Sequence, residues 1–384
     1  MINIKNSVDC CGCTACVSVC AHNAIVMKSD IEGFSYPLVN NNLCVDCGLC
    51  DNVCPIIYRK STDENKTTLE YYALRIKDKE ILKQSSSGGA FSLLCDYVLS
   101  RNGFVCGVEY SSRGVVQHTF IDNKDDLKRL RGSKYAQSNL DGIYARLKSH
   151  LKEKKWVLFS GTPCQVDGLR RFLRKDYENL ITVDLVCHAV PSPLIYKEYL
   201  AYCSRKLGEE VVSIDMRDKS TYGWSHKYSY RFHYKNGKRT LDPIKVVNWG
   251  KLFFSELINR PSCGECKYAN LHRPGDFTIA DFWDDYKTRP EIYSKEGTSL
   301  LLVNSEKAKS VFAEVKDDCL YWSLRYEEAL QPNLIRPTKT HPQRKLFWEY
   351  YHANGFDKTY KKYFADSNKE MLKKIIKRLL EYVK

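Results

Sequence analysis

Two matching cysteine arrays near the N-terminus constrain this chain more than any other feature. Cys10, Cys13, Cys16 and Cys20 recur 34 residues on as Cys44, Cys47, Cys50 and Cys54. Both sets are spaced C-x-x-C-x-x-C-x-x-x-C, and Pro55 follows the second. Three thiolates at that close spacing wrap three corners of an iron–sulfur cubane, and the fourth reaches the neighbouring cluster. The spacing therefore assigns one 4Fe-4S cluster to Cys10, Cys13, Cys16 and Cys54, and a second to Cys44, Cys47, Cys50 and Cys20. Structural zinc prefers two separated C-x-x-C pairs, and a disulfide framework belongs to short secreted chains. The doubled array fits neither well.

Residues 1–57 resemble the bacterial two-cluster ferredoxins, with Ala21 where that family usually has proline; the change removes no ligand. The remainder must fold by ordinary core burial. The chain has 384 residues, 43% hydrophobic and 28% charged, enough for two or three domains. Seventeen cysteines in such a chain point to metal ligation. No stretch approaches the length of a membrane span, and the opening MINIKNSVDC lacks an apolar signal region. A cytoplasmic location is the expectation.

The formal charge is +14, and residues 123–175 alone hold fourteen Lys/Arg against five Asp/Glu. Solvated helix faces, cofactor phosphates or an acidic redox partner all fit that surplus. No nucleic-acid motif accompanies it, so no nucleic-acid partner is expected.

The expected organisation is a two-cluster domain at 1–57, a polar linker at 58–70, and one larger domain in two parts, 71–155 and 156–345. A C-terminal region, 346–384, follows. IVMKSDIEGFSYPLV reads as a hairpin around Asp30–Gly33. YYALRI reads as a strand, Gly89–Leu99 as a helix, and FVCGVEY with VVQHTFI as a second hairpin. WVLFS, Gln165–Leu173 and ITVDLVC form a strand–helix–strand unit, whose strands run parallel. The fold class is thus mixed α+β and α/β: a small ferredoxin-like unit, then a larger mixed sheet. The tail from Ser367 reads as a basic amphipathic helix with a Ser367/Glu370 capping box. Docking on the protein's own core, or contact with a membrane surface or partner helix, are its two readings.

The strand–helix–strand unit brings Cys164 and Cys187 to one carboxyl edge, where open α/β sheets bind ligands. Cys263-Gly264-Glu265-Cys266 supplies two more thiols from a tight loop. Cys164, Cys187, Cys263 and Cys266 together complete a third cubane site. Cys95, Cys106, Cys203 and Cys319 read as buried structural residues. Cys11, next to a ligand but out of register, is assigned no role.

SSSGGAFSLL (85–94), RGSKYAQS (131–138), FSGTPCQVDGLRRFL (159–173), DLVCHAVPSP (184–193), RDKSTYGW (217–224), CGECKYA (263–269) and DFTIADFWD (276–284) appear in order. The chain resembles the beta subunit of coenzyme F-420 hydrogenase and dehydrogenase, a deazaflavin-reducing family with plant 7-hydroxymethyl chlorophyll a reductase as a relative. The resemblance runs from the two-cluster unit to about residue 345. It implies FAD, a 4Fe-4S cluster on the matching cysteines, and electron exchange with a soluble substrate. Ala189, Ala280 and Asp284 depart from the family's glycines near the implied substrate face.

No G-x-G-x-x-G fingerprint is present. Ser86, Ser87, Gly88 and Gly89 run into a helix whose N-terminus suits a pyrophosphate, although serine N-capping explains them as well; the resemblance favours FAD. Arg131, Ser133 and Lys134 are expected on the same anion, and Gly161 and Thr162 beside Cys164. His188, adjoining Cys187, is the candidate proton donor, with a core histidine as the alternative. Trp224, His226 and Trp283 are placed near the substrate or in the core.

The expected function is an iron–sulfur flavoprotein oxidoreductase acting on a small molecule. Its expected partner is a redox protein such as ferredoxin, or a larger oxidoreductase. A non-catalytic electron-transfer subunit that feeds a partner enzyme, and a cysteine-rich redox or metal sensor, are the competing classes.

Overall fold

The computed structural model describes residues 1–57, 70–111, 114–221, 223–224, 229–283, 289–367 and 370. The linker from 58 to 69, His226, Asp284 and the tail beyond 370 lie outside them. Strands β1 (Ile25–Ser29) and β2 (Ser35–Val39) pair antiparallel as the expected hairpin, with Ser29 opposite Ser35. Asp30 makes the turn: its carboxylate accepts from Glu32 N at 3.0 Å and Phe34 N at 2.8 Å.

The larger part begins with β3 (Glu70–Ile76), β4 (Phe104–Tyr110), β5 (Val116–Ile121), β6 (Val157–Gly161) and β7 (Leu180–Leu185). A small antiparallel sheet, β8 (Val211–Asp215), β9 (Arg231–Tyr234) and β10 (Arg239–Leu241), follows. Then come β11 (Phe277–Asp281), β12 (Ser299–Val303) and β13 (Cys319–Ser323). One eight-stranded mixed sheet runs β13-β3-β12-β11-β7-β6-β4-β5. Its central strands β11, β7, β6 and β4 are mutually parallel, and the outer pairings are antiparallel. The sheet takes strands from both sides of residue 155.

Period-two alternation explains why these segments are strands. Leu158, Ile181, Val183 and Phe277 enter one core. Val157, Phe159 and Leu180 enter the other. All five β6 residues are buried, because helices cover both faces of a parallel centre. The Pro163–Leu173 helix starts at a Thr162/Gln165 capping box with Pro163 at its first position. The Pro193–Leu207 helix packs with the small sheet and the Arg344–Tyr363 helix in a separate core.

Parallel order places the carboxyl ends of β6, β7 and β11 at one edge. β3 points the same way, since both it and β11 run antiparallel to β12. The segments after Ile76, Gly161, Leu185 and Asp281 therefore share that edge. The two-cluster unit is fastened to the larger part by several contacts. Ser192 Oγ donates to Glu32 O at 2.5 Å, Arg344 forks onto the Glu32 carboxylate, and Lys267 Nζ donates to Ile56 O at 3.1 Å. Among the described residues, no helix is long and apolar enough to cross a membrane.

Candidate functional site

The two cysteine loops share backbone conformation as well as spacing. Gly12 (φ 72°) and Asp46 (φ 50°), 34 residues apart, are both left-handed, and so are Thr14 (φ 63°) and Gly48 (φ 69°). In each loop that conformation turns the chain into a short helix, Ala15–Val19 or Leu49–Asn52. Cys20, Cys44, Cys47 and Cys50 line one cavity with His22 and Val45, the four assigned to one cluster by spacing. The other four also crowd together: burial, then Cys10 and Cys54, push the Cys16 thiol up to about 12. A hydrogen bond with Cys11 pulls the Cys13 thiol down, but burial, Cys16 and Cys54 leave it raised. Backbone N–H groups already aim at sulfur, Ile2 at Cys50 (3.2 Å) and Ala24 at Cys20 (3.3 Å). All-thiol donor sets with N–H···S bonds suit iron–sulfur clusters.

At the sheet edge the structure brings Cys164, Cys187, Cys263 and Cys266 together. Burial, then Cys263, Cys164 and Cys266, push the Cys187 thiol well above its ordinary value. Four thiols so crowded ionise together only if a cation neutralises them. Val190 N donates to Cys263 Sγ at 3.4 Å, and Thr162 Oγ1 lies 3.2 Å from Cys164 Sγ. The donor set fits a cluster. Among the described residues no three such groups converge as tightly as a single metal ion needs; a cubane spreads its thiolates more widely. A buried frame holds the edge: Arg273 Nη2 donates to Asp184 Oδ1 at 2.7 Å, and Nη1 to Tyr268 O at 2.5 Å.

The sequence reading gave Cys11 no role. It is buried, with the thiols of Cys13 and Cys164 close enough to shift its proton affinity. It stands between the first cluster site and the sheet-edge site. Cys95, Cys106, Cys203 and Cys319 are buried as expected.

Of the residues expected around a flavin, Ser86, Arg131 and Ser133 come together. Ser133 N donates to Ser86 Oγ at 2.9 Å, while Arg131 reaches Ser92 Oγ (3.0 Å) and Gln84 Oε1 (2.7 Å). Ser87 Oγ donates to Thr298 O at 2.7 Å. Gly88 is held against the sheet, where an added Cβ would lie 2.2 Å from Leu74 O. Gly89 (φ 91°) caps the Ala90–Leu99 helix. Lys134 folds back, its Nζ donating to Arg131 O at 2.7 Å; burial pulls it down to about 7. Gly161 ends β6 and Thr162 caps the helix carrying Cys164.

Segment 131–138 joins the two regions. Ser133 meets Ser86 at one end, and at the other Ser138 Oγ accepts from Gln165 Nε2 at 3.1 Å. Tyr135 stacks on Phe253 (4.7 Å), which packs on His188 (5.2 Å). Thr338 Oγ1 donates to His188 O at 2.6 Å and lies 3.2 Å from Nδ1, so it accepts Nδ1–H. Nε2 is then the open lone pair, 3.9 Å from Glu256. Burial holds His188 below the ordinary imidazole range. Further along the edge Trp224 stacks on Trp283 at 4.8 Å and donates to Asp281, which also pairs with Arg217 at 2.9 Å.

Sequence reasoning did not foresee the contacts of Cys11, Arg217 and the buried Arg260. Each acts through contacts across the fold, with no spacing signal. RDKSTYGW and CGECKYA mark the neighbourhoods only.

Residues 9–56 match the 4Fe-4S dicluster domain profile. Residues 71–143 match the N-terminal profile of the coenzyme F420 hydrogenase/dehydrogenase beta subunit, and residues 154–324 its C-terminal profile. One subunit of the F(420)H(2) dehydrogenase of Methanosarcina mazei is 20% identical over 304 residues, covering 74% of this chain and 80% of that protein. The coenzyme F420-dependent sulfite reductase of Methanocaldococcus jannaschii is 24% identical over 321 residues, covering 80% of this chain and 46% of that protein. The chain thus spans under half the length of the latter. A chain of the F420-reducing [NiFe] hydrogenase complex from Methanosarcina barkeri superposes with TM-score 0.45 at 17% identity, over 77% of this chain and 91% of that one.

Proposed function

The chain belongs to the family of coenzyme F420 hydrogenase/dehydrogenase beta subunits and carries a 4Fe-4S dicluster domain, and from that premise we propose an iron–sulfur flavoprotein oxidoreductase. It moves electrons between its dicluster unit and FAD, through a third 4Fe-4S site, to reduce or oxidise a soluble small molecule. A deazaflavin coenzyme is the first substrate to test, because two relatives are named for F420. The observation that carries the proposal is the close approach of Cys13 to Gly168, on the helix that carries Cys164, which sets the dicluster unit against the sheet edge.

Bound clusters supply single electrons, and a flavin converts them to the two-electron chemistry of organic substrates. The chain's residues do the rest. Cys10, Cys13, Cys16 and Cys54 would hold the inner cluster of the unit, Cys20, Cys44, Cys47 and Cys50 the outer, and Cys164, Cys187, Cys263 and Cys266 the third. Ser86, Ser133 and Arg131 offer donors and positive charge to a pyrophosphate. His188 moves a proton at Nε2: with Nδ1 protonated and the ring neutral near pH 7, the open Nε2 must take a proton before giving one. The Trp224/Trp283 stack and the Arg217–Asp281 pair shape the face where a planar substrate docks.

Anaerobically purified protein should show flavin bands above a broad iron–sulfur shoulder, and with dithionite should reduce an oxidised deazaflavin. A colourless protein ends the proposal. A second reading, a non-catalytic electron-transfer subunit that feeds a partner oxidoreductase, is favoured because one relative is itself a dehydrogenase subunit. It predicts that the isolated chain reduces its flavin but turns over no small molecule.

A further inference from the structure

Arg260 is 1% exposed and belongs to two sites at once. Its backbone sits in the sheet-edge site: its N donates to Val190 O at 2.9 Å, and its O accepts from Cys263 N at 3.0 Å. Its side chain crosses into the dicluster unit. Nε donates to Cys10 O at 2.8 Å, and Nη2 to Ser35 O at 3.0 Å and Cys10 Sγ at 3.5 Å. Nη1 donates to Gln137 Oε1 at 3.2 Å. Tyr36 and Phe34 offer ring faces at 4.6 and 5.4 Å. Gly12 makes room for the fork, since a Cβ there would lie 2.8 Å from Nη1.

Every polar edge of the guanidinium is engaged, yet among the described residues no carboxylate lies within salt-bridge distance of it. The contrast is Arg273, equally buried, which pairs with Asp184 at 2.7 Å. A buried charge without a counter-charge is costly. The anion in contact with Arg260 is the Cys10 sulfur, which becomes a thiolate when it ligates iron. Reduction adds one more negative charge to that cluster, and a fixed cation in a dry setting favours the added charge.

We propose that Arg260 is a positioning residue that supplies the counter-charge of the inner dicluster cluster, favouring its reduced form. The inference rests on the dicluster domain and deepens the electron-transfer reading. A purely structural arginine would pin the unit in place without moving a potential.

The test is an electron-paramagnetic-resonance redox titration of the full-length protein, with iron content measured on the same samples. R260Q keeps donors but loses the charge; R260K keeps the charge but loses the fork. R260Q should shift the reduced-to-oxidised ratio of one dicluster signal about tenfold toward oxidised at fixed poise, about 59 mV for one electron. The other dicluster signal should stay in place, and R260K should titrate like wild type. An unshifted, iron-loaded R260Q overturns the proposal, as does an R260K shift as large as that of R260Q. Should R260Q fail to load iron, R260K decides alone: wild-type titration supports the charge role, and a tenfold shift or loss of iron overturns it. Absence of iron from the wild type would instead overturn the dicluster reading itself.

Discussion

Gly168, in the middle of the Pro163–Leu173 helix, lies against Cys13 of the dicluster unit so closely that an added Cβ would sit 2.8 Å from both its Cβ and its Sγ. The helix that starts beside Cys164 therefore seats the first cluster loop on its flank. One missing side chain sets the distance between two sites.

Gly168→Ala tests that seat. Helix propensity alone would favour alanine by about 1 kcal/mol, but overpacking a filled contact costs about 1–3 kcal/mol. The clash should win, because the neighbour, Cys13, is fixed by its own loop. A lower midpoint in thermal melts and reduced iron content are expected. An unchanged melt with full iron would mean the unit docks elsewhere.

Asp184→Asn strands Arg273. Breaking one partner of a fully buried pair costs about 3–5 kcal/mol, a large share of the 5–15 kcal/mol that roughly bounds a domain's stability. Urea denaturation of D184N should show that loss, and the double variant D184N/R273M should recover part of it. A loss under about 1 kcal/mol would contradict the importance of the pair.

His118 gives a pH dependence. It is buried on β5 with Nε2 at 3.0 Å from Ser160 O, and burial pulls it from 6.5 to about 4. Its folded value lies below its unfolded value, so the unfolded chain takes up the proton first. Stability is present above pH 6.5 and declines as pH falls toward 4. Linkage puts the loss between pH 7 and pH 5 at about 2 kcal/mol. Urea titrations at both pH values should show it for wild type and a smaller loss for H118Q. Equal losses in the two proteins would remove His118 as the cause.

The sequence displayed what repeats or alternates. The cysteine spacing placed two quartets, and the structure gathers those quartets. Apolar alternation marked β4 to β7, and parallel topology then carried Cys164 and Cys187 to one edge. Contacts made only by folding stayed hidden. Cys11 breaks the ligand register, so spacing excluded it, yet the fold sets it between Cys13 and Cys164. Arg260 has no local signature because its partners, Cys10 and Ser35, are more than two hundred residues away. Lys134 lies in a motif, but its ammonium caps backbone carbonyls instead of facing outward. The short strands β8 to β10 carry too few alternating residues to stand out.

Cys187→Ser addresses the proposed third cluster separately from the other two. Removing one of four ligands should lower iron from about twelve to about eight per chain while both dicluster signals persist. Iron unchanged in C187S would remove the sheet-edge site from the electron path.

The most direct measurement is iron, sulfide and flavin content of the full-length protein purified without oxygen. About twelve irons, as many sulfides and one FAD per chain are expected. Zinc in place of iron, with no yellow chromophore released on denaturation, would contradict the account.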